Sequence, residues 1–595
     1  MKNILLIILT VFSLNITNVV AEEITNQELN NQISLTANTT AVAKIGDTNY
    51  STLDEAIKAA TDKDTILLLE NIDVPKIIID KKVTIDANNK EIKTTYLNVT
   101  GKLTLKNGKL NITNSNEWAV MMNNKNALFE VINSNVTITG RGIYSAPNAT
   151  ITLDNTNFTL KDIAYVAWMQ GDYSYQYAKL NITNGSTFTI SNVKKTNGGG
   201  NGLNWVNTTI DKSKLIIENC EYQGIVGGSL IVKNNGKATI KNASYAHTMY
   251  RNDEINIDGT SSLIISEIRA SGIWAWGGKI TFQKGSNVNL TNNGNSEENA
   301  SDSFENLRTS LSSSVIYLTT KGKTELNIED GANVNITNNY MRAIANNGVA
   351  YIGSNTKITN NGLINPNSKI RTSTYGGGIF NAGSLTINKN VDLYNNHAEL
   401  AADDIYNYQG AVIDFNDVKD NWILDDCNDK INYWYDDSEN SRWNAHDDNL
   451  HIVKIESGKL ETNLEIKAAH NLKAKVIAHY VDQDGNTLSE DTEINGYVDD
   501  IYKTIKKDIT GYELNRIEGN ETGNMTLETI HVTYVYEFVH GTGDVDEPVI
   551  TPNPEPEIPY TGIEEDNDNN LTNIVLMSSS LSSLIILIAL RKKLI

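Results

Sequence analysis

Two kinds of side chain in this 595-residue sequence are spaced so that they could act on, or hold, a sugar: carboxylates and aromatic rings. Hydrolysis of a glycosidic bond needs two carboxyl groups at a set separation, and clustered acids could hold calcium beside a basic residue for lyase chemistry. The middle of the chain offers isolated acids, Asp154, Asp162, Asp172, Asp253 and Asp258, and one adjacent pair, Asp403-Asp404, whose plainer reading is a solvated turn. It has no Gly-x-Ser-x-Gly and no His-Glu-x-x-His, and the run Gly198-Gly199-Gly200-Asn201-Gly202 lacks the strand-to-helix setting of a phosphate loop. No catalytic residue is therefore assigned. Rings gather at Tyr165, Trp168, Tyr173, Tyr175 and Tyr177 and again at Trp274 and Trp276. Exposed rings stack against the C–H faces of sugars, which makes Trp168, Tyr173, Tyr175, Trp274 and Trp276 glycan-binding candidates; the plainer reading is rings that pack a loop. A third constellation fills 420–455: Trp422, Asp425, Asp426, Asp429, Tyr433-Trp434-Tyr435-Asp436-Asp437, Arg442, Trp443, His446, Asp447 and Asp448. It suits either calcium or sugar, or a polar cap whose tryptophans shield an apolar end. No calcium-loop pattern occurs there, so no cofactor or metal is expected, with Ca2+ as the alternative.

The elements that must position these residues are short. From about residue 65 to 415, scraps of four or five residues alternate apolar and polar and then break at Asn or Gly. Lys82-Val83-Thr84-Ile85, Lys102-Leu103-Thr104-Leu105, Lys237-Ala238-Thr239-Ile240 and Ser384-Leu385-Thr386-Ile387 are typical. Val, Ile and Thr favour strands, while Asn and Gly tolerate tight turns. No scrap can bury a face alone, so the scraps must stack on one another, and asparagines can form ladders along the stack. The architectures that fit are a parallel β-helix and a row of antiparallel sandwiches; sandwich strands are longer and joined by Asn-Gly or Asp-Gly hairpins, which favours the β-helix. Before the first scrap, Ser51 to Ala60 reads as a capping helix, with Ser51 as N-cap and Leu53, Ala56, Ile57 and Ala60 on one face. This opening resembles that of pectin-lyase-like right-handed β-helix proteins, and Tyr375-Gly376-Gly377-Gly378-Ile379-Phe380-Asn381 with Asp403-Asp404-Ile405-Tyr406-Asn407 resembles repeats of bacterial surface β-helices. The resemblance implies an all-β rod over 41–455, with about 22 to 25 residues per coil, ~4.8 Å per coil and a length of roughly 70 Å.

Both ends carry addressing signals. Met1 to Ala21 reads as a secretory signal, with Lys2, an apolar centre from Ile4 to Leu14, and cleavage between Ala21 and Glu22, followed by a flexible lead over 22–40. At the other end, Ile558-Pro559-Tyr560-Thr561-Gly562 precedes an acidic spacer, an apolar run over 571–590 and Arg591-Lys592-Lys593. The apolar run is long enough, at roughly 30 Å as a helix, to cross a bilayer core. This order resembles the Leu-Pro-x-Thr-Gly sorting signal of Gram-positive surface proteins, with Ile558 in place of Leu. It implies that sortase cuts between Thr561 and Gly562 and joins Thr561 to peptidoglycan, after a transient stay as a membrane helix. The net charge of −22 argues against nucleic acid as a partner, and the two cysteines, Cys220 and Cys427, fit no metal spacing and read as packed thiols, with a long-range disulfide as the alternative.

Between rod and anchor lies a separate module. Lys475-Val476-Ile477-Ala478-His479-Tyr480-Val481, Asp482-Gln483-Asp484-Gly485, Gly511-Tyr512 and Val532-Thr533-Tyr534-Val535-Tyr536 together resemble the mucin-binding-protein (MucBP) repeat over 474–538, which implies a small β-grasp-like fold. Five of the chain's 8 prolines fall between Pro548 and Pro559, so 539–557 reads as an extended wall-spanning linker. Taken together, these readings give a secreted, cell-wall-anchored adhesin whose partners are sortase, peptidoglycan and host or environmental glycans, mucin or proteins. The second reading is a surface polysaccharide lyase or glycoside hydrolase on the β-helix; the third is a plain coat protein.

Overall fold

The computed structural model describes residues 40–171, 176–196, 198–294, 313–319, 323–363, 374–388, 390–416, 431–440, 452–453, 458–461, 463–470, 473–497, 501–526 and 528–539. The expected secretory signal over 1–21, the expected lead over 22–40 except residue 40, the expected linker over 539–557 except residue 539 and the expected sorting signal over 558–595 lie outside them, as do Tyr173, Tyr175 and Cys427. Among the described residues no helix is long and apolar enough to cross a membrane.

Among the described residues the chain is nearly all β with one helix, Leu53–Ala59. The expected face is the one it buries, Leu53, Ala56 and Ile57, with Ala60 just beyond. Its N-cap is Thr52 rather than Ser51: the Thr52 hydroxyl accepts from the Glu55 N–H at 3.1 Å while Glu55 reaches back to the Thr52 N–H at 3.2 Å, closing a capping box. Ser51 instead donates to Glu55 Oε2 at 2.7 Å. Ahead of the stack, Ala43–Ile45 pairs antiparallel with both Thr48–Tyr50 and Thr65–Leu68 and so covers the first rung.

From Thr65–Leu68 onward the scraps stack in parallel on three faces, consistent with a β-helix. One face runs Lys82–Asp86, Lys102–Lys106, Leu128–Ile132, Thr150–Asp154 and so on to Val412–Asn416, each strand in register with the next. Glu91–Val99 feeds the other two, pairing with Lys109–Asn114 through its first half and Val120–Met122 through its second. Alternation decides what faces inward: Lys82–Asp86, Lys102–Lys106 and Lys237–Lys241 all bury their second and fourth residues. Like meets like inside, as where Phe158 pairs with Phe188 with ring centroids 5.2 Å apart and planes 16° apart. The coils are less even than expected. Bonded neighbours in successive coils lie 20 residues apart at Asn71–Glu91, 30 at Asp154–Asn184, 35 at Asn361–Asn396 and 46 at Asn289–Asn335. The extra residues fall between strands in the sequence, where added length costs little, and the strands stay in register.

One corner repeats with unusual strictness. Asp162, Asn192, Asn219, Asn242, Glu267, Asn292, Asn338, Asn360 and Asn395 all lie in the left-handed region, with φ from 50° at Asn242 to 58° at Glu267. Asn and Asp tolerate this state better than other side chains. The residue after each is buried, giving an inward column of Ile163, Val193, Cys220, Ala243 and Ile268, then Asn293, Asn339, Asn361 and Asn396. The four asparagines form a continuous amide chain: Asn293 Nδ2 donates to Asn339 Oδ1 at 2.9 Å, Asn339 to Asn361 at 2.7 Å, Asn361 to Asn396 at 2.8 Å and Asn396 to Asp404 Oδ1 at 2.8 Å. A second buried ladder links Asn346, Asn381 and Asn407 at 2.8 and 2.6 Å.

The last rungs are closed by antiparallel strands. Val412–Asn416 meets Gly458–Leu460, and Ile405–Asn407 meets Leu464–His470, which also pairs with Ile431–Asp436. Trp434 is buried in the core there, in keeping with a cap that shields the apolar end; the closing strand Leu464–His470 lies past residue 455. The other residues of that constellation from 417 to 430 and 441 to 451 lie outside the described residues. Asp403 and Asp404 are not a solvated turn: they are 3% and 0% exposed, because the closing strand covers them.

The module's sheet runs Thr487–Tyr497, Lys473–Asp482, Ile530–Phe538, Tyr512–Glu518, with the two central strands parallel. Tyr480, Tyr534 and Tyr536 are its core, at most 2% exposed. The chain divides into two compact units, one of Met1–Ile509 with Leu514–Glu537 and a small one of Thr510–Glu513 with Phe538–Ile595. In the small unit the Tyr512 and Phe538 rings meet edge-on at 5.3 Å.

Asn339→Ala removes the acceptor of Asn293 and the donor of Asn361, and each buried group so stripped costs about 1–3 kcal/mol. Cys220→Ala trims the same column where it is apolar, at a cost of about 1 kcal/mol. Urea unfolding is expected to place the Asn339→Ala midpoint well below that of Cys220→Ala.

Candidate functional site

On the face built by Gln223–Val226, Tyr245–Met249, Ser271–Ala275 and Ser314–Leu318, rings from successive coils meet, although only Trp274 and Tyr317 share a register position. Gln223 pairs with Tyr245, and Trp274 pairs with Tyr317. The Tyr222 ring meets Tyr245 edge-on at 5.9 Å; Tyr245 stacks on Trp274 at 5.4 Å and Trp274 on Tyr317 at 6.3 Å. Trp276 widens the set, 5.1 Å from Trp274. Tyr245 is buried, and burial pushes its phenol up to about 12, while Trp274, Trp276 and Tyr317 are half-buried. The result is a platform spanning four coils.

A cleft of about 400 Å³ opens beside Tyr222, lined by Asn192, Lys194, Lys195, Asn219, Cys220, Glu221, Asn242 and Arg269. Its wall is an outward amide ladder at the left-handed corner. Asn192 donates to Asp162 at 3.0 Å, Asn219 to Asn192 at 3.1 Å, Asn242 to Asn219 at 2.8 Å, and Arg269 Nη1 to Asn242 at 3.0 Å. A carboxylate thus begins this ladder and a guanidinium ends it. Lys195 holds its ammonium 4.9 Å from the Tyr222 ring centroid, and Lys194 pairs with Glu221 at 3.2 Å. The Lys195 N–H, more than the Lys194 side chain, holds Glu221 below the usual carboxylate range. Burial raises the Cys220 thiol to about 12, which removes it as a nucleophile.

The sequence candidates divide. Trp274 and Trp276 are on the platform. Trp168 is not a surface ring: it is fully buried and donates through Nε1 to Ser145 Oγ at 2.9 Å, so no face is left for a sugar. Strand alternation turned it inward. Tyr173 and Tyr175 lie outside the described residues. Tyr165 joins Trp118 at 6.1 Å, with Arg141 5.6 Å from both rings, and Tyr177 joins Trp205 at 5.5 Å and, through it, Tyr250 at 4.9 Å. Tyr222, Tyr245 and Tyr317 were missed: they lie at different register positions and meet only through ring contacts between coils of uneven length. The isolated acids serve turns: Asp154 accepts from Asn184, Asp162 from Asn192 and Asp258 from the Asn234 N–H; Asp172 lies outside the described residues. Among the described residues no three His, Cys, Asp or Glu side chains converge on a metal position.

The module carries a smaller notch of about 350 Å³, floored by Ala478, Tyr480 and Ile494 and edged by Lys503, Lys506 and Lys507. Lys507 sits 4.2 Å over the Tyr480 ring and donates to the Glu490 carbonyl at 2.6 Å. Nearby in sequence, Ile501 and Ile505 stand 73% and 69% exposed.

Residues 475–537 match the MucBP domain family, within one residue of the expected bounds at each end. Over 64 residues the chain is 47% identical to Internalin J of Listeria monocytogenes serovar 1/2a, covering 11% of this chain and 8% of that protein. It is 44% identical over 64 residues to Internalin J of Listeria monocytogenes serotype 4b, covering 11% of this chain and 7% of that one. The chain therefore spans less than a tenth of the length of these curated relatives.

Behind the platform, two buried titratable groups share Gly228. His247 Nε2 lies 2.9 Å from the Gly228 carbonyl, and Asp253 Oδ2 accepts from the Gly228 N–H at 3.0 Å and the Tyr250 N–H at 2.8 Å. Burial lowers His247 from 6.5 to about 4 and raises Asp253 from 3.8 to about 6. The folded chain refuses a proton that unfolded His247 accepts, so this term loses stability as pH falls from 6.5 to about 4. The folded chain keeps a proton that unfolded Asp253 releases, so that term loses stability as pH rises from 3.8 to about 6. The two slopes oppose each other. Asp253→Asn is expected to be more stable than the parent at neutral pH and to lose stability more steeply on acidification across that window, measured as Tm against pH.

Proposed function

We propose that this chain is a surface adhesin of a Gram-positive bacterium that binds glycans of the mucin type or their environmental counterparts. The match of residues 475–537 to the MucBP domain family carries the reading. The half-buried ring platform of Trp274, Trp276 and Tyr317 supports it from the coils, since flat rings in a row suit the C–H faces of successive sugars. Secretion through Met1 to Ala21, cleavage before Glu22 and sortase transfer of Thr561 to peptidoglycan would place both surfaces outside the cell, with 539–557 crossing the wall. In this reading the coils form a right-handed β-helix, the hand that parallel crossovers take almost without exception. Binding needs no cofactor, so a calcium chelator leaves it unchanged.

The test is binding of the full chain to a mucin-glycan array. Trp274→Ala and Trp276→Ala are each expected to weaken binding about three- to tenfold, the worth of one ring contact. Undiminished binding in the double variant removes the platform from the reading, and release of sugar fragments replaces adhesion with catalysis. In cells, Thr561→Ala is expected to abolish covalent recovery with purified murein; unchanged recovery would end the sortase reading.

A further inference from the structure

We propose that Lys467 and Asp403 are a modification site, joined in the mature protein by a side-chain amide bond that locks the last rung to the strand closing it. Lys467 Nζ lies 3.0 Å from Asp403 Oδ2, and the two side chains are only 8% and 4% exposed. Asp403 belongs to the stretch leading into Ile405–Asn407, and Lys467 to the closing strand Leu464–His470, where Ile405 pairs with Ile466. The two residues are 64 apart in sequence.

The pair is buried, and burial narrows the gap between the ion pair and its neutral, reactive form. Burying an ion pair costs more than burying the amine and acid made by passing one proton from ammonium to carboxylate. Two further carboxylates crowd this corner, Asp404 and Asp437, both fully buried. Asp437 Oδ2 accepts the Asp403 N–H at 2.8 Å, which fixes it beside the reacting acid. Asp403 Oδ1 accepts from the Ala398 N–H at 2.9 Å, so a donor already points at the oxygen that carries negative charge in a tetrahedral intermediate. Oδ2, on the lysine side, is the oxygen that leaves.

The atoms balance without a co-reactant. The Nζ lone pair attacks Asp403 Cγ and the C–N bond forms. One amine proton moves to the Oδ2 hydroxyl, the C–Oδ2 bond breaks, and one water departs. Holding both groups in place supplies the effective concentration that amide formation lacks in free solution.

Mass spectrometry of the purified full chain decides it. The expected result is a protease-resistant pair of peptides, one with Lys467 and one with Asp403, lighter than their sum by one water. Lys467→Arg keeps a cation at this position but cannot form the amide, and is expected to restore both separate peptides in a chain with unchanged β circular dichroism. Separate, unmodified Lys467 and Asp403 peptides from the folded parent chain overturn the proposal. So does a linked pair that persists in Lys467→Arg, which would assign the bond to another residue.

Discussion

From Asp162 to Asn395 the coils depend on one backbone state. There the chain turns from one face to the next through a corner residue of positive φ, which is Asn or Asp in eight of the nine corners, with Glu267 the exception. The corner then settles two further things. It aims the next side chain inward, which creates the column from Ile163 to Asn396, and it leaves the corner side chain free to bond to the equivalent residue one coil away. Turn chemistry and coil-to-coil adhesion are thus done by the same residues. Stacks whose repeats touch only their neighbours need such a term at each interface.

The surface features inherit this order. Trp274 meets Tyr317 because their strands are in register, and the strands are in register because the corners on either side align. The cleft beside Tyr222 is walled by corner asparagines themselves. The platform is therefore held by paired strands rather than by a loop, which limits the side-chain entropy lost when a ligand settles on it. The rings stack on one another from coil to coil, and that contact adds to the pairing of the strands beneath them.

Much of this was legible before any coordinates. Short alternating scraps ending at Asn gave the stacked strands, and the Thr52–Glu55 neighbourhood gave the capping helix, displaced by one residue at its start because the Thr52 hydroxyl, not that of Ser51, reaches the Glu55 N–H. The module was legible from its Tyr-Val-Asp start and Val-Thr-Tyr-Val-Tyr finish. The site was less so. Which ring points out depends on strand phase, and Trp168 sits at an inward phase that its neighbours do not reveal. Which rings meet depends on coil length, which varies from 18 to 46 residues between parallel strand partners. The burial of Asp403 and Asp404 comes from a strand some sixty residues later, and no local pattern announces it.

The inward amide chain has a direction. From Asn293 to Asn396 each side chain donates toward the later coil, so four amide dipoles line up head to tail. Such an array behaves like a short electret, with its positive pole at the end that meets Asp404, much as a helix presents positive charge at its start. The closing end of the stack therefore carries a built-in field that draws negative charge inward. The Asp404 carboxyl there is solvated by oriented protein amides instead of water.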